Sequence, residues 1–353
     1  MRLSIGLFKM NTQTTQNIAV ADRVEYVRAA VGELKRHTES IEKQFSKPDE
    51  VELRAVFLAP EYAFARSVPQ GFTDHAFGLK RQLEEDYVNN SWRPTFGAVS
   101  KGFKNALIVP GTVAWRKSIA PTVPGKHDSI EEAEAYRREK YTARIMNAAD
   151  INLDQGMVFT KKTPVFPVDF KKRDDTRLAL PTAKSKMKAM RTAHYIAKNT
   201  AHCYYNGDCV YKYNKIGDFY EVSEDTEDTI VVPNRASNVS GTTVSAGRFS
   251  AGGLDIGISI CYDQSLSVQD SANVNIVEPL QKTADPVDIH ILLSAHIPPA
   301  IQAANLKPGG LLLSCSSSSK DNGVLWYNGI HFKKAASADI KGIAKLDIYQ
   351  IIT

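Results

Sequence analysis

Strand-like runs alternate with one-sided helical stripes over the first third of the chain, and that order constrains the fold class most. Arg2 to Phe8 sets Leu3, Ile5 and Leu7 against Ser4 and Gly6, the period of a strand. Val20, Val24, Val27, Val31 and Leu34 recur at steps of 4, 3, 4 and 3, one face of a helix that Asn17 is placed to cap. Arg54 to Ala59 is a near-continuous apolar run ending at Pro60-Glu61, which reads as a strand buried on both faces. Helical spacing returns at Leu79, Leu83 and Tyr87, and Leu107 to Trp115 is a strand broken at Pro110-Gly111. A β-α-β-α-β order predicts an α/β domain. Further on, Leu254, Ile256, Ile258 and Ile260 alternate with period 2 into Cys261. Ile289 to Ala295 and Gly310 to Cys315 are further buried strands, and Gly342 to Ile351 closes the domain.

Residues 117–198 interrupt this pattern. Ser129-Ile-Glu-Glu132 has the form of a capping box opening a charged helix. Asp154 to Lys198 holds 11 Lys/Arg against 4 Asp, a net +7 that exceeds the +5 of the whole chain. We read residues 1–353 as a single domain with an insertion at about 117–198 and a core piece near Ala143 to Leu153. Within the insertion, Lys184, Lys186, Lys188 and Arg191 near Met187 and Met190 form a basic, partly amphipathic stretch. Such a stretch suits an acidic partner, a nucleic acid or a membrane surface, or more plainly a solvated lid or oligomer contact. Its aromatics are sparse (Phe159, Phe166, Phe170 and Tyr195), which argues against a single-stranded nucleic acid.

Composition removes several classes. Apolar residues make up 43% of the 353, which excludes a disordered chain. No apolar run reaches the ~18 residues of a membrane-spanning helix. The first residues lack the charged-then-apolar pattern of a secretory signal, so a cytoplasmic setting is expected. Cys203, Cys209, Cys261 and Cys315 are too few in a chain this long for a disulfide framework. No Cys-x2-Cys or His-x3-His pair is present, so no metal is expected. Gly252-Gly253 and Gly309-Gly310 lack the Gly-Lys-Ser/Thr ending of a phosphate loop, and no cofactor is expected.

Three polar residues follow the predicted strands: Glu61, Lys215 and Cys261. The ends of strands are where α/β sheets carry their sites. Taken singly, each has a plainer reading: a loop carboxylate, a solvated strand end, a small buried hydrophobe. Taken together they cover acyl transfer. A cysteine thiolate is a nucleophile. A carboxylate takes its proton and later activates water. A lysine ammonium and the backbone N–H after the cysteine stabilise the oxyanion.

Leu58-Ala-Pro-Glu61-Tyr62 resembles the Pro-Glu motif of the nitrilase (carbon–nitrogen hydrolase) superfamily. Asn206 to Ile216 resembles that family's hairpin ending in Tyr-Arg-Lys-Ile/Val-His, and Gly257-Ile-Ser-Ile-Cys261-Tyr-Asp263 its Gly-Ile-x-Ile-Cys-Tyr-Asp block. The resemblance runs from Leu3 to about Ile351, excluding most of 117–198. It implies a four-layer α-β-β-α sandwich and a triad that hydrolyses amide or nitrile bonds through a thioester. Cys261 would be the nucleophile, Glu61 the general base and Lys215 the oxyanion stabiliser, with Lys212 the second candidate lysine. Tyr62, Tyr262 and Asp263 would flank the substrate, as would a second glutamate, Glu221 or Glu224. Leu293-Ser-Ala-His296-Ile-Pro298 stands where the family often has Trp-Pro, so His296 would line the pocket. A homodimer or larger homo-oligomer is the family's habit.

The sequence also departs from the family. Gly217-Asp218 replaces His-Leu after Lys-Ile, and Gln264 to Asp270 replaces an Arg/Lys-Phe-Pro-Glu stretch. The expected activity is hydrolysis of a linear amide or carbamoyl compound, less readily a nitrile. The alternative is a catalytically degenerate binding protein whose basic insertion docks a partner. Ser316 to Ser319 lacks the Gly-x-Ser-x-Gly turn of a serine hydrolase. Cys203 and Cys209 flank the Asn206-Gly207 turn, and two free thiols are expected there.

Overall fold

The computed structural model describes residues 2–11, 18–45, 51–65, 83–148, 158–161, 180–215, 228–232, 247–269, 277–279, 284–295, 297–318 and 321–352. In chain order the strands begin with β1 (Arg2–Lys9), β2 (Ala55–Leu58), β3 (Leu83–Glu84), β4 (Ala106–Val109), β5 (Thr112–Ser118) and β6 (Val158–Lys161). There follow β7 (Tyr195–Tyr205), β8 (Asp208–Asn214), β9 (Thr229–Val231), β10 (Arg248–Ala251), β11 (Leu254–Ile260) and β12 (Leu266–Gln269). The last are β13 (Val277–Pro279), β14 (Val287–Ser294), β15 (Leu306–Ser316), β16 (Gly323–Trp326), β17 (Ala336–Ile340) and β18 (Ala344–Ile352). The helices are α1 (Val20–Glu42), a short α2 (Glu85–Tyr87) running through a π-turn into α3 (Arg93–Gly102), α4 (Ile130–Ala148) and α5 (Leu180–Met190).

One sheet runs β17-β18-β1-β2-β4-β7-β5-β3, with β8 and β9 also paired to β7; the second runs β10-β11-β14-β15-β16. A small third sheet joins β13, β12 and β6. Strand alternation turns Leu3, Ile5, Leu7, Val56 and Leu58 of the first sheet toward Ile256, Ile258, Ile260, Ile291, Leu293 and Leu313 of the second, and these side chains make the largest core. Phe8 and Phe57 face the other way and pack under α1 and α3 through Val27, Val31, Leu34, Trp92 and Phe96. The expected helical stripe of α1 is that buried face. The class is α/β, and the paired sheets with helices outside the first form the expected sandwich. Outside the second sheet, the described residues include a single short 3-10 turn, Ile301–Ala303, beside Leu292, Leu312 and Leu325.

Several boundaries move for physical reasons. Helix α1 starts after Ala19 with no side-chain cap, and Asn17 lies outside the described residues. Leu79 lies outside the described residues, while Leu83 pairs with Trp115 as a strand and a helix begins at Glu85. The antiparallel pairing Ser118↔Tyr195 carries β5 and β7 into the supposed insertion from both ends. Of the expected piece Ala143 to Leu153, residues 149–153 lie outside the described residues, and the part near Ala143 packs apart from the main core. It belongs to α4, whose Tyr141 and Ile145 pack on Ile119, Met190, Ile196 and Ile230 in a separate cluster. The Ser129 hydroxyl accepts the Glu132 N–H at 3.1 Å as expected, while Glu132 reaches back to the Asp128 N–H at 2.8 Å, one residue beyond the usual box. Lys186 is buried and donates to the Val231 carbonyl at 3.1 Å, so it is spent inside the fold rather than on a basic surface.

Candidate active site

The Pro60-Glu61 turn is held from the start of β5. Tyr62, at φ 58, donates its N–H to Thr112 Oγ1 at 2.9 Å, and the Thr112 N–H reaches the Pro60 carbonyl at 3.3 Å. Gly111 lies between them at φ 93, where a Cβ would stand 2.5 Å from the Pro60 oxygen and 2.8 Å from Ala63 Cβ. Only glycine fits there. Gly111→Ala will cost about 2–3 kcal/mol, read as a shift in the urea midpoint. Gly102→Ala, where nothing lies within 4 Å, will not.

Held in this way, Glu61 is fully buried and its Oε1 accepts from Lys215 Nζ at 2.9 Å and from Asn199 Nδ2 at 2.9 Å. Lys215 is also fully buried; its N–H takes the Asn199 carbonyl at 2.9 Å just past β8, and its Nζ sits 5.9 Å from the Tyr62 ring. Lys212, the other candidate, is exposed and pairs with His202 on the opposite face of the sheet. A buried ion pair is a poor source of stability, because desolvating both charges offsets their attraction. Two charges placed here at that cost suit chemistry better than architecture.

Cys261 ends β11 with only 1% of its surface exposed. Its φ of 52 puts a side-chain-bearing residue in the left-handed region, where the chain turns into Cys261–Ser265. Two ties bring this turn to Glu61 and Lys215. Ile260 pairs with Leu293, and the next residue on β14, Ser294, accepts the Glu61 N–H at 3.3 Å. Asp263, two residues beyond Cys261, accepts from Tyr213 OH at 2.9 Å, two residues before Lys215. Burial first, then the Asp263 carboxylate, hold the Tyr213 phenol well above its ordinary range, so it remains a donor. The three expected residues therefore come from three strand ends to one edge of the sandwich.

The other expected residues divide. Tyr62 is 3% exposed and packs with Ala65, Ala114 and Ala295, a small apolar wall beside the Lys215 ammonium. Asp263 is fully buried on Tyr213, which gives it a role in holding the turn rather than an open face toward substrate. The backbone of Tyr262 lies in the turn. Glu221, Glu224 and His296 lie outside the described residues. Gln264 bonds Pro298 O and Ala300 N at 3.3 and 3.1 Å, so it pins the segment after β14. Ser316 and Ser317 both donate to the Ala295 carbonyl, which makes them braces of the same segment. Cys203 faces the inter-sheet core and Cys209 the outer cluster, and both are free thiols. Asn199 was not anticipated. Its only sequence signal is a polar residue on the inward face of β7, in step with Ala201 and Cys203. Among the described residues, no group of three His, Cys, Asp or Glu side chains is arranged to hold a metal, and no helix is long and apolar enough to cross a membrane.

No family model matches the sequence, and no curated protein matches it. Among solved structures, the chain is similar to an amidase from Nesterenkonia sp. AN1 carrying the Michael adduct of acrylamide at its active-site cysteine, with 10% identity over 100% of this chain and 93% of that one, and a TM-score of 0.41. The same amidase in complex with butyramide aligns at 9% identity over 99% of this chain and 90% of that one, with a TM-score of 0.38. A glutamine-dependent NAD+ synthetase from Acinetobacter baumannii aligns at 10% identity over 100% of this chain and 46% of that one, with a TM-score of 0.40. Likeness this distant carries no chemistry; that rests on Glu61, Lys215 and Cys261.

Proposed function

We propose that this chain is a cysteine-dependent hydrolase of non-peptide carbon–nitrogen bonds in a linear amide or carbamoyl compound, working through a thioester. The observation that carries this reading is the fully buried Glu61–Lys215 contact at the strand edge where Cys261 turns in a left-handed conformation. Glu61 takes the thiol proton as Cys261 Sγ attacks the carbonyl carbon. The oxyanion forms against the Lys215 ammonium and the backbone N–H of Tyr262. Collapse of the tetrahedral intermediate breaks the C–N bond, and the proton held by Glu61 passes to the leaving amine. Glu61 then takes a proton from water, whose oxygen attacks the thioester, and the carboxylic acid leaves as Cys261 recovers its proton.

The test is the iodoacetamide alkylation rate of Cys261 against pH, followed by peptide mass spectrometry. Reaction will persist well below the free-thiol pKa of about 8.5, and Glu61→Gln will slow it at least about tenfold at pH 6.5. An ordinary thiol profile, the same in both proteins, would overturn the proposal and favour the degenerate binding scaffold.

A further inference from the structure

A second group of charged side chains lies on the far side of the first sheet. Asn199 points inward to Glu61, so its neighbour Lys198 points outward. The pairs Trp115↔Lys198 and Lys117↔Ile196 make Lys117 and Lys198 diagonal neighbours on that outer face. Helix α4 packs over it, with Lys140 and Arg144 one turn apart. Tyr141 of α4 sits between them: its ring centroid is 5.5 Å from Lys198 Nζ and 5.6 Å from Arg144 Cζ. Two strands and a helix thus bring four cations together.

Among the described residues, little balances Lys117 and Lys198. Among those residues neither the Lys117 nor the Lys198 ammonium has a hydrogen-bonded or ion-paired side-chain partner beyond the Tyr141 ring over Lys198, and Glu85 is the carboxylate that acts on Lys117. Glu85 is itself bonded to the Ser118 N–H at 2.9 Å, and Arg137 to the Ser118 carbonyl at 2.8 Å. Burial, followed by the charges of Arg144, Lys117 and Lys140, brings Lys198 down to about 7. Burial also lowers Lys117, Lys140 and Arg144. Like charges driven together and partly dried are unfavourable alone and favourable around an anion.

We propose that Lys117, Lys140, Arg144 and Lys198 form a binding site for a small tetrahedral oxyanion, the phosphate or sulfate group of a small molecule, separate from the edge that carries Glu61. The site does not depend on the proposed hydrolysis. Among the described residues, Lys117 from β5 and Lys140, Tyr141 and Arg144 from α4 face Lys198, and Arg137 from α4, Glu85 from α2 and Lys212 from β8 act on it through Lys117. The bound anion holds the proton on Lys198, so binding takes up a proton near neutrality.

Sodium sulfate is the probe, against sodium chloride at matched ionic strength, with thermal unfolding of the full chain as the readout. Sulfate is a dianion throughout the range used, so any pH dependence belongs to the protein. Sulfate will raise the midpoint by about 3–6 °C at saturation. With Lys198 at about 7, its apparent affinity at pH 6 will be about tenfold that at pH 8, the ratio of protonated fractions. Lys198→Met will lose the sulfate effect. Should that variant fail to fold, Lys140→Gln, at the exposed rim of the site, carries the test and will bind sulfate at least about threefold more weakly. An equal rise in chloride, an equal rise in the variants, or no rise at all would overturn the proposal. Retention on a polyanion such as heparin without a sulfate effect would also overturn it.

Discussion

Lys215→Met will destabilise the protein by about 3–5 kcal/mol and end turnover, while Glu61→Gln combined with Lys215→Met will regain most of the stability and none of the turnover. Glu61 and Lys215 are both fully buried and touch at 2.9 Å. Removing the lysine leaves a carboxylate in the core beside Asn199, a neutral donor. That uncompensated charge, not the lost attraction, makes up most of the penalty. In the double variant, glutamine still accepts from Asn199 and no charge is buried. Urea midpoints of the wild type and the two variants, with amide turnover beside them, give the answer. If the double variant is no more stable than the single one, the pair is not the desolvated ion pair described here.

Cys261→Ala will lower turnover by about four orders of magnitude or more and leave the fold in place. The more telling comparison is with Cys261→Gly. Alanine keeps a Cβ at φ 52, where an L side chain is strained. Glycine has none. The glycine variant will therefore outlast the alanine variant by about 1 kcal/mol, the reverse of the usual order, and will be just as inactive. Greater stability of the alanine variant would mean that the turn bears no strain at Cys261.

The main strands and α1 were readable because apolar periodicity reports which face is buried. Leu3, Ile5 and Leu7 alternate because one face of β1 meets the second sheet. The Asn206-Gly207 turn was readable because both residues accept positive φ, and they adopt 53 and 101. Glu61, Lys215 and Cys261 stand out as candidates because each follows a strand, Ala55–Leu58, Asp208–Asn214 and Leu254–Ile260. What escaped is what spacing does not encode. Asn199 bonds Glu61 across 138 positions of sequence. Asp263, expected to face substrate, is instead turned to Tyr213 by a pairing between two sheets. Leu83 fits a helical stripe and becomes a strand because Trp115 offers it a partner. Lys186, in the basic, partly amphipathic stretch of the insertion, is buried on the Val231 carbonyl, a contact that composition does not encode.

The placement of β1 also governs the order in which this protein can be assembled. On one side Ser4 faces Ala55 and on the other Gln350. The strand nearest the start of the sequence therefore waits for the strand nearest its end before its second edge is hydrogen-bonded. Until then a chain growing on the ribosome exposes an unpaired edge, the feature most open to adventitious strand addition. The inward side chains of β1 wait as well, since β11, β14 and β15 cover them. Loop closure this long makes folding slow and delays completion of this sheet until β18 has been made. Protection of the nascent β1, by a chaperone or by transient collapse, is thus part of what this topology requires of the cell that makes it.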